Sequence, residues 1–170
     1  MLQIEHALLA FLLGISPLTE CRIAIITAFI LSGGASLDFA VLTAISVASN
    51  LIVPFIAIYI LLILEKYILN YSGSNSLMDF IKRLYVKYIL RVKERAGRYV
   101  GRWGYIGLAL FVGVPLPFTG AWTGSLAAYI LNLEYRKAVI ANVVGILIAA
   151  SIVVAALLTG NYFIILYRGE

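Results

Sequence analysis

The stretch VGVPLPFTGAWTGSLAAYI, residues Val112–Ile130, carries no charge, yet it holds two prolines, three glycines, two threonines and a tryptophan. Proline removes a backbone donor and collides with the preceding helical turn. A helix entering this stretch therefore breaks, although the surrounding sequence is apolar enough for lipid. At membrane depth a broken helix survives only where its backbone is buried in protein or lines a wet cavity. Pro115 and Pro117 are expected to end one half-helix, and Gly120 to permit close approach of other groups. Ala121–Ile130 then begins a second half-helix. Thr119 is its expected N-cap, and its first N–H groups are expected to face a cavity.

Composition agrees with a lipid setting. The 170 residues are 63% hydrophobic and 12% charged, against about a quarter charged in soluble domains. Such a chain cannot cover itself with polar surface, and a multi-pass protein of the cell membrane is expected. The opening MLQIEHALLAF has no basic region of the kind that starts a secretory signal, so none is expected. His6 is the only histidine and Cys21 the only cysteine. A metal site and an intramolecular disulfide are therefore not expected. With no phosphate loop and no nucleophile elbow, neither a cofactor nor an enzyme is expected.

Charge supplies orientation. Nine of the 13 Lys and Arg residues lie between Lys66 and Arg102, with Arg136 and Lys137 further on. Clustered basic residues beside apolar blocks mark cytoplasmic loops, a better fit than nucleic-acid binding. Four apolar blocks flank them: Leu2–Gly34, Phe39–Leu64, Gly104–Leu133 and Ala138–Leu158. The second and fourth read as spanning helices, the second kinked at Pro54. The first and third are broken, at GISPLTECR (14–22) and at the opening stretch. Their flanks of about a dozen residues reach roughly 18 Å, short of a hydrocarbon core of about 30 Å. Each is either one kinked span or a re-entrant hairpin. Arg136 and Lys137 return to the cytoplasm only if the third block is a hairpin, so the positive-inside rule favours hairpins. The loop SGGASLD (32–38), without Lys or Arg, then lies outside, as do both chain ends.

The two halves also resemble each other. Ser16–Leu18 answers Val114–Leu116, Leu37–Phe39 answers Leu133–Tyr135, and each long block carries an asparagine, Asn50 or Asn142. The expected architecture is an all-α integral membrane domain with an inverted repeat. Residues 1–65 and 104–160 each form a re-entrant hairpin followed by one span, joined by a basic cytoplasmic segment, 66–103. Such repeats place substrate sites at the midplane. Leu77–Trp103 is expected to be one helix. Arg83, Lys87, Arg91, Arg95, Arg98 and Arg102 fall on one face, and Tyr85, Tyr88, Val92, Ala96, Tyr99 and Trp103 on another. That is the pattern of an interfacial helix on the bilayer, its basic face turned to anionic lipid headgroups. The bland reading is that these charges only fix topology.

Glu20 and Arg22 are the ionisable residues set deep in an apolar block. Ionised groups at the bilayer centre cost about 2.5–3.5 kcal/mol on insertion scales and mark functional sites by default. Glu20 suits proton coupling and Arg22 an anion contact. The competing reading is a structural ion pair, but residues two apart do not meet on a helix. A direct pair needs the break at Pro17 to extend through them. Pro17, Thr19, Asn50, Trp122, Thr123 and Asn142 complete the expected path. Either asparagine could instead be interhelical glue, and Gly107, Gly124 and Gly145 read as close helix contacts.

The elements SPLTECRIAI (16–25) and VPLPFTGAWTGSLAAYIL (114–131) resemble the small multidrug export protein family. Its members share an early E-x-R element, matched by Glu20 and Arg22. A later P-x-P-x-T-G-[AT]-W-x-G element is matched by Pro115, Pro117, Thr119, Gly120, Trp122 and Gly124. The resemblance covers nearly the whole chain. It departs after Arg22, where many relatives carry a glycine and a proline. The family is in turn similar to the DedA/VTT membrane proteins, which implies facing re-entrant hairpins and a link to moving lipids. The resemblance thus implies transport without naming a substrate. A carrier of a small or lipid-like substrate is expected, with a lipid or polyprenyl-phosphate scramblase and a non-transporting assembly protein as alternatives. Two full spans are few for a sealed carrier, so a homodimer is expected.

Overall fold

The computed structural model describes residues 4–34, 36–70, 76–114 and 119–168. Residues 71–75 and the prolines Pro115 and Pro117 lie outside the described residues. Within them the chain forms six α-helices: α1 (Ile4–Ile15), α2 (Glu20–Leu31), α3 (Leu37–Asn70), α4 (Ser76–Gly113), α5 (Ala121–Ile130) and α6 (Tyr135–Arg168). Two carry segments long and apolar enough to cross a membrane, Leu37–Ala57 in α3 and Tyr135–Gly160 in α6. The first, of 21 residues, extends about 32 Å at 1.5 Å per residue.

The other apolar helices are short. α1 and α2 have 12 residues each and α5 has 10, about 15–18 Å at the same rise. Breaks fall where the prolines and glycines place them. α1 stops at Ile15, one residue before Ser16-Pro17, and α4 stops at Gly113. Both second half-helices end alike. Gly33 takes a left-handed φ of 72° after α2, and Asn132 one of 52° after α5. In each case two N–H groups fold back on the last turn: Gly33 to Ile30 and Gly34 to Phe29, then Asn132 to Tyr129 and Leu133 to Ala128. This is the Schellman closure, which favours Gly or Asn at the left-handed position. The next helix starts at once, with the Ser36 hydroxyl accepting from the N–H of Phe39 at the head of α3.

Packing interlocks the halves. α1 lies against α3 and α4 against α6, while α2 also packs on α6 and α5 on α3. Small residues let backbones approach, as membrane helix contacts require. Gly14 of α1 leaves no room for a side chain beside Ser46 and Ser49 of α3, and Gly145 of α6 none beside Ala109 and Val112 of α4. Gly124 sits equally tightly against Val112 and Asn142. The outward faces of α3 and α6 remain apolar, with Ile52, Phe55, Val144, Leu147 and Ile152 exposed. In water such a surface would be costly; against acyl chains it is not.

α4 is two arms. At Gly104, φ is 57° and ψ −131°, a combination that a Cβ forbids. The chain bends back there so sharply that Tyr99 and Phe111 place their ring centroids 6.0 Å apart. Gly107 abuts the Tyr99 carbonyl. The expected helix from Leu77 to Trp103 is therefore present and ends at the glycine that opens the third apolar block. The face away from the basic residues is only partly covered. Val92 and Ala96 are buried and Tyr85 and Tyr88 half-buried, but Tyr99 and Trp103 are exposed.

Candidate functional site

The two broken segments meet, and each closes the other's open helix ends. Glu20 is the first residue of α2, and its φ of 53° is uncommon for a residue with a side chain. The break after Pro17 thus reaches Glu20 and frees it from the helical spacing that would separate it from Arg22. Its carboxylate is buried, lies directly on Gly120, and accepts the backbone N–H groups of Ala121 and Trp122. A carboxylate from α2 therefore caps the N-terminus of α5, where the free donors and the positive end of the helix dipole favour negative charge. Gly120 permits this because nothing projects from its Cα.

Arg22 does the converse for α4. Its Nη2 donates to the Val112 carbonyl at 2.6 Å, and its Nη1 to the Thr119 hydroxyl at 3.3 Å. The Val112 carbonyl belongs to the last turn of α4, the negative end, where cations are favoured. Glu20 and Arg22 also interact electrostatically. The trade is reciprocal: the indole Nε1 of Trp122, in the first turn of α5, donates to the Ile15 carbonyl that ends α1 at 3.0 Å. The two threonines behave alike. Thr19 donates to the Leu13 carbonyl at 2.6 Å and Thr119 to the Val114 carbonyl at 2.8 Å.

Two expectations are corrected here. Thr119 does not cap α5: the N-cap is Gly120, with extended backbone and no side-chain cap bond, because the Thr119 hydroxyl is turned back to Val114. Nor do the first N–H groups of α5 stand open to a cavity, since Glu20 holds those of Ala121 and Trp122. Pro17 lies exposed in the connection between α1 and α2.

The asparagines each brace their own half. Asn50, with its amide oriented to satisfy both partners, donates to the Gly14 carbonyl at 3.2 Å and accepts from the Cys21 N–H at 3.3 Å. It thereby spans the first break. Asn142 donates to the Ala121 carbonyl at 3.3 Å and to the Ser125 hydroxyl at 2.9 Å. It therefore lies beside the α5 N-terminus. Thr123 is buried and shares a hydrogen bond of 3.3 Å with the Tyr88 hydroxyl on the basic arm of α4. Glu20, Arg22, Thr119, Gly120 and Trp122 are thus one cluster, with Asn50, Asn142 and Thr123 on its flanks. Ser125 was not singled out by sequence, and Tyr88 was read only as part of the aromatic face of the basic helix. Ser125 directly follows Gly124, the last residue of the motif, and its polarity within an apolar half-helix is the signal that could have marked it.

The basic residues Arg83, Lys87, Arg91, Arg95, Arg98 and Arg102 are all exposed along the first arm of α4. Arg95, Arg98 and Arg102, with Tyr99, Trp103, Phe111, Val114 and Thr119, line a cavity of about 490 Å³. Thr119 connects this cavity to the cluster through Arg22.

Six helices, two of them long and apolar enough to cross a bilayer and three half that length, define an all-α membrane protein whose polar cluster sits where its short helices break. Residues 20–152 match the family described as "Putative small multi-drug export protein", and the chain belongs to that family. The match takes in both Glu20-Cys21-Arg22 and the stretch from Pro115 to Gly124, and the family's description is that of a transporter. No curated protein and no solved structure matches the chain.

Proposed function

We propose that the protein carries a small or lipid-like substrate across the cell membrane, through a midplane site between two re-entrant pairs of half-helices related as an inverted repeat. The reciprocal capping of the two breaks carries this reading. Four helix ends converge, and Glu20, Arg22 and Trp122 each cap an end in the opposite half of the chain. Paired Schellman closures and paired threonine bonds support the repeat. Polar backbone at that depth needs either protein or a cavity around it, and a site whose caps can be exchanged for substrate contacts supplies both. A proton on Glu20 removes the charge that holds the α5 N-terminus and frees that end for an anionic group, which offers a route to coupling. The basic segment, 66–103, lies at the cytoplasmic surface, and the carrier works as a homodimer.

A scramblase of phosphate-bearing lipid is the second reading, favoured by the arginine-lined cavity that opens towards the same cluster. Reconstitution in liposomes distinguishes the two. Flux of a headgroup-labelled anionic lipid without a pH gradient is expected of a scramblase. Flux of a small substrate or a cationic dye that requires the gradient is expected of a coupled carrier. Movement of neither lipid nor dye, in either orientation and with a gradient of either sign, would remove both.

Topology is tested separately. In a Cys21→Ser background, Arg136→Cys is expected to resist an impermeant thiol reagent in intact cells, while Gly169→Cys reacts. The reverse pattern would replace the hairpins with plain spans, because Arg136 would then lie outside.

A further inference from the structure

We infer that the cavity between the two arms of α4 is a binding site for the phosphate headgroup of an anionic lipid. The wall from the first arm presents Arg95, Arg98 and Arg102, one helical face at spacings of three and four residues. Among the described residues no carboxylate is paired with any of them. Three guanidinium groups facing one cavity repel each other, and a phosphate, which accepts paired N–H donors from each fork, relieves that repulsion. The opposite wall is mostly apolar, with Thr119 as its polar member. Its apolar part is Phe111 and Val114 from beyond the bend, and Trp103 at the rim is 56% exposed. An exposed tryptophan beside arginines is the pattern of a membrane–water boundary, where an indole sits at headgroup level. A soluble anion would use the arginines and leave the apolar wall idle; a lipid uses both.

The basic stripe therefore divides. Arg83, Lys87 and Arg91 lie on the same arm but do not line the cavity, and they act only through general attraction to a negative surface. Arg95, Arg98 and Arg102 form a discrete site. The bend at Gly104 is what makes it, by bringing Phe111 back over Tyr99. This inference does not rest on transport. It concerns binding in micelles, so a failure of flux in liposomes leaves it standing, and its own failure leaves transport standing.

The test uses the purified full chain in detergent micelles, with dioleoyl phosphatidate binding followed by native mass spectrometry. Dioleoyl phosphatidylcholine and inorganic phosphate serve as competitors. The variants are the triple Arg95→Gln/Arg98→Gln/Arg102→Gln and the triple Arg83→Gln/Lys87→Gln/Arg91→Gln, which remove equal charge. The cavity triple is expected to weaken phosphatidate binding by tenfold or more and the other by about twofold, because charge-assisted hydrogen bonds are lost only in the first. Equal weakening by both triples, or no weakening by the cavity triple, would overturn the site. Inorganic phosphate competing at concentrations similar to phosphatidate would overturn the lipid assignment. If the cavity triple fails to fold, Trp103→Ala decides, since it leaves all three arginines in place. It is expected to weaken phosphatidate severalfold without changing competition by inorganic phosphate, and unchanged phosphatidate binding would reject the proposal.

Discussion

Replacing Arg22 with leucine is expected to destabilise the protein by about 3 kcal/mol, towards the low end of the range for breaking a buried ion pair because the guanidinium is only half-buried. Replacing Glu20 with leucine should cost a similar amount. The first change strips the Val112 carbonyl of its donor and leaves the Glu20 carboxylate without its counter-charge. The second leaves Arg22 uncompensated and opens the N-terminus of α5. The double variant is expected to be about as stable as either single, far above the sum of the two. Removing both charges cancels the uncompensated terms, while two helix ends remain uncapped at about 1 kcal/mol each. Thermal unfolding in detergent measures all three. Additive losses would show that the two side chains act independently. Singles indistinguishable from the unmodified protein, but with flux abolished, would assign the pair to transport alone.

Gly120→Ala is expected to be strongly destabilising. Its Cβ falls on the Glu20 carboxylate, so the cap must leave α5 or α2 must shift. Forced overpacking costs about 1–3 kcal/mol, and the loss of a charged cap adds to it. Backbone strain has no part in this. Gly120 has φ −165° and ψ −164°, extended geometry that alanine adopts freely. In a Glu20→Ala background the same methyl should therefore cost almost nothing. That dependence on a residue about 100 positions away is the signature of direct contact. A Gly120→Ala penalty that is equal in both backgrounds, again by thermal unfolding, would mean that the carboxylate does not sit on α5.

Local signals in the sequence were enough to place the helix breaks. Proline and glycine act on their own turn, so the stops at Ile15 and Gly113 and the start at Ala121 could be read directly. The same holds for the end of the basic arm at Gly104 and for the exposed row from Arg83 to Arg102. Glu20 and Arg22 stood out because charge is rare in apolar blocks. Their partners were not legible. Which carbonyl Arg22 reaches, or which helix Glu20 caps, depends on tertiary contacts between segments distant in sequence. The Thr119 cap failed for the same reason: a threonine before a helix is a good local candidate, but a carboxylate from elsewhere already held the donors. The bend at Gly104, which sets Tyr99 against Phe111, was not legible either, because helical periodicity carries no signal for a chain that folds back.

The reciprocal caps also set an order of events during synthesis. When α1, α2 and α3 have left the ribosome, the Ile15 carbonyl still lacks Trp122, and the Glu20 carboxylate has no helix to cap. At about 5–20 residues per second, the roughly 50 residues from the end of α3 to Ala121 take some 3–10 s to arrive. Over that interval the nascent first half holds an ionised group and an open helix end that lipid cannot satisfy. It must stay near the aqueous interface or the insertion machinery until the second half appears. The two halves are therefore expected to fail as separate insertions and to complement each other when produced together, as fragments that complete one another's backbone.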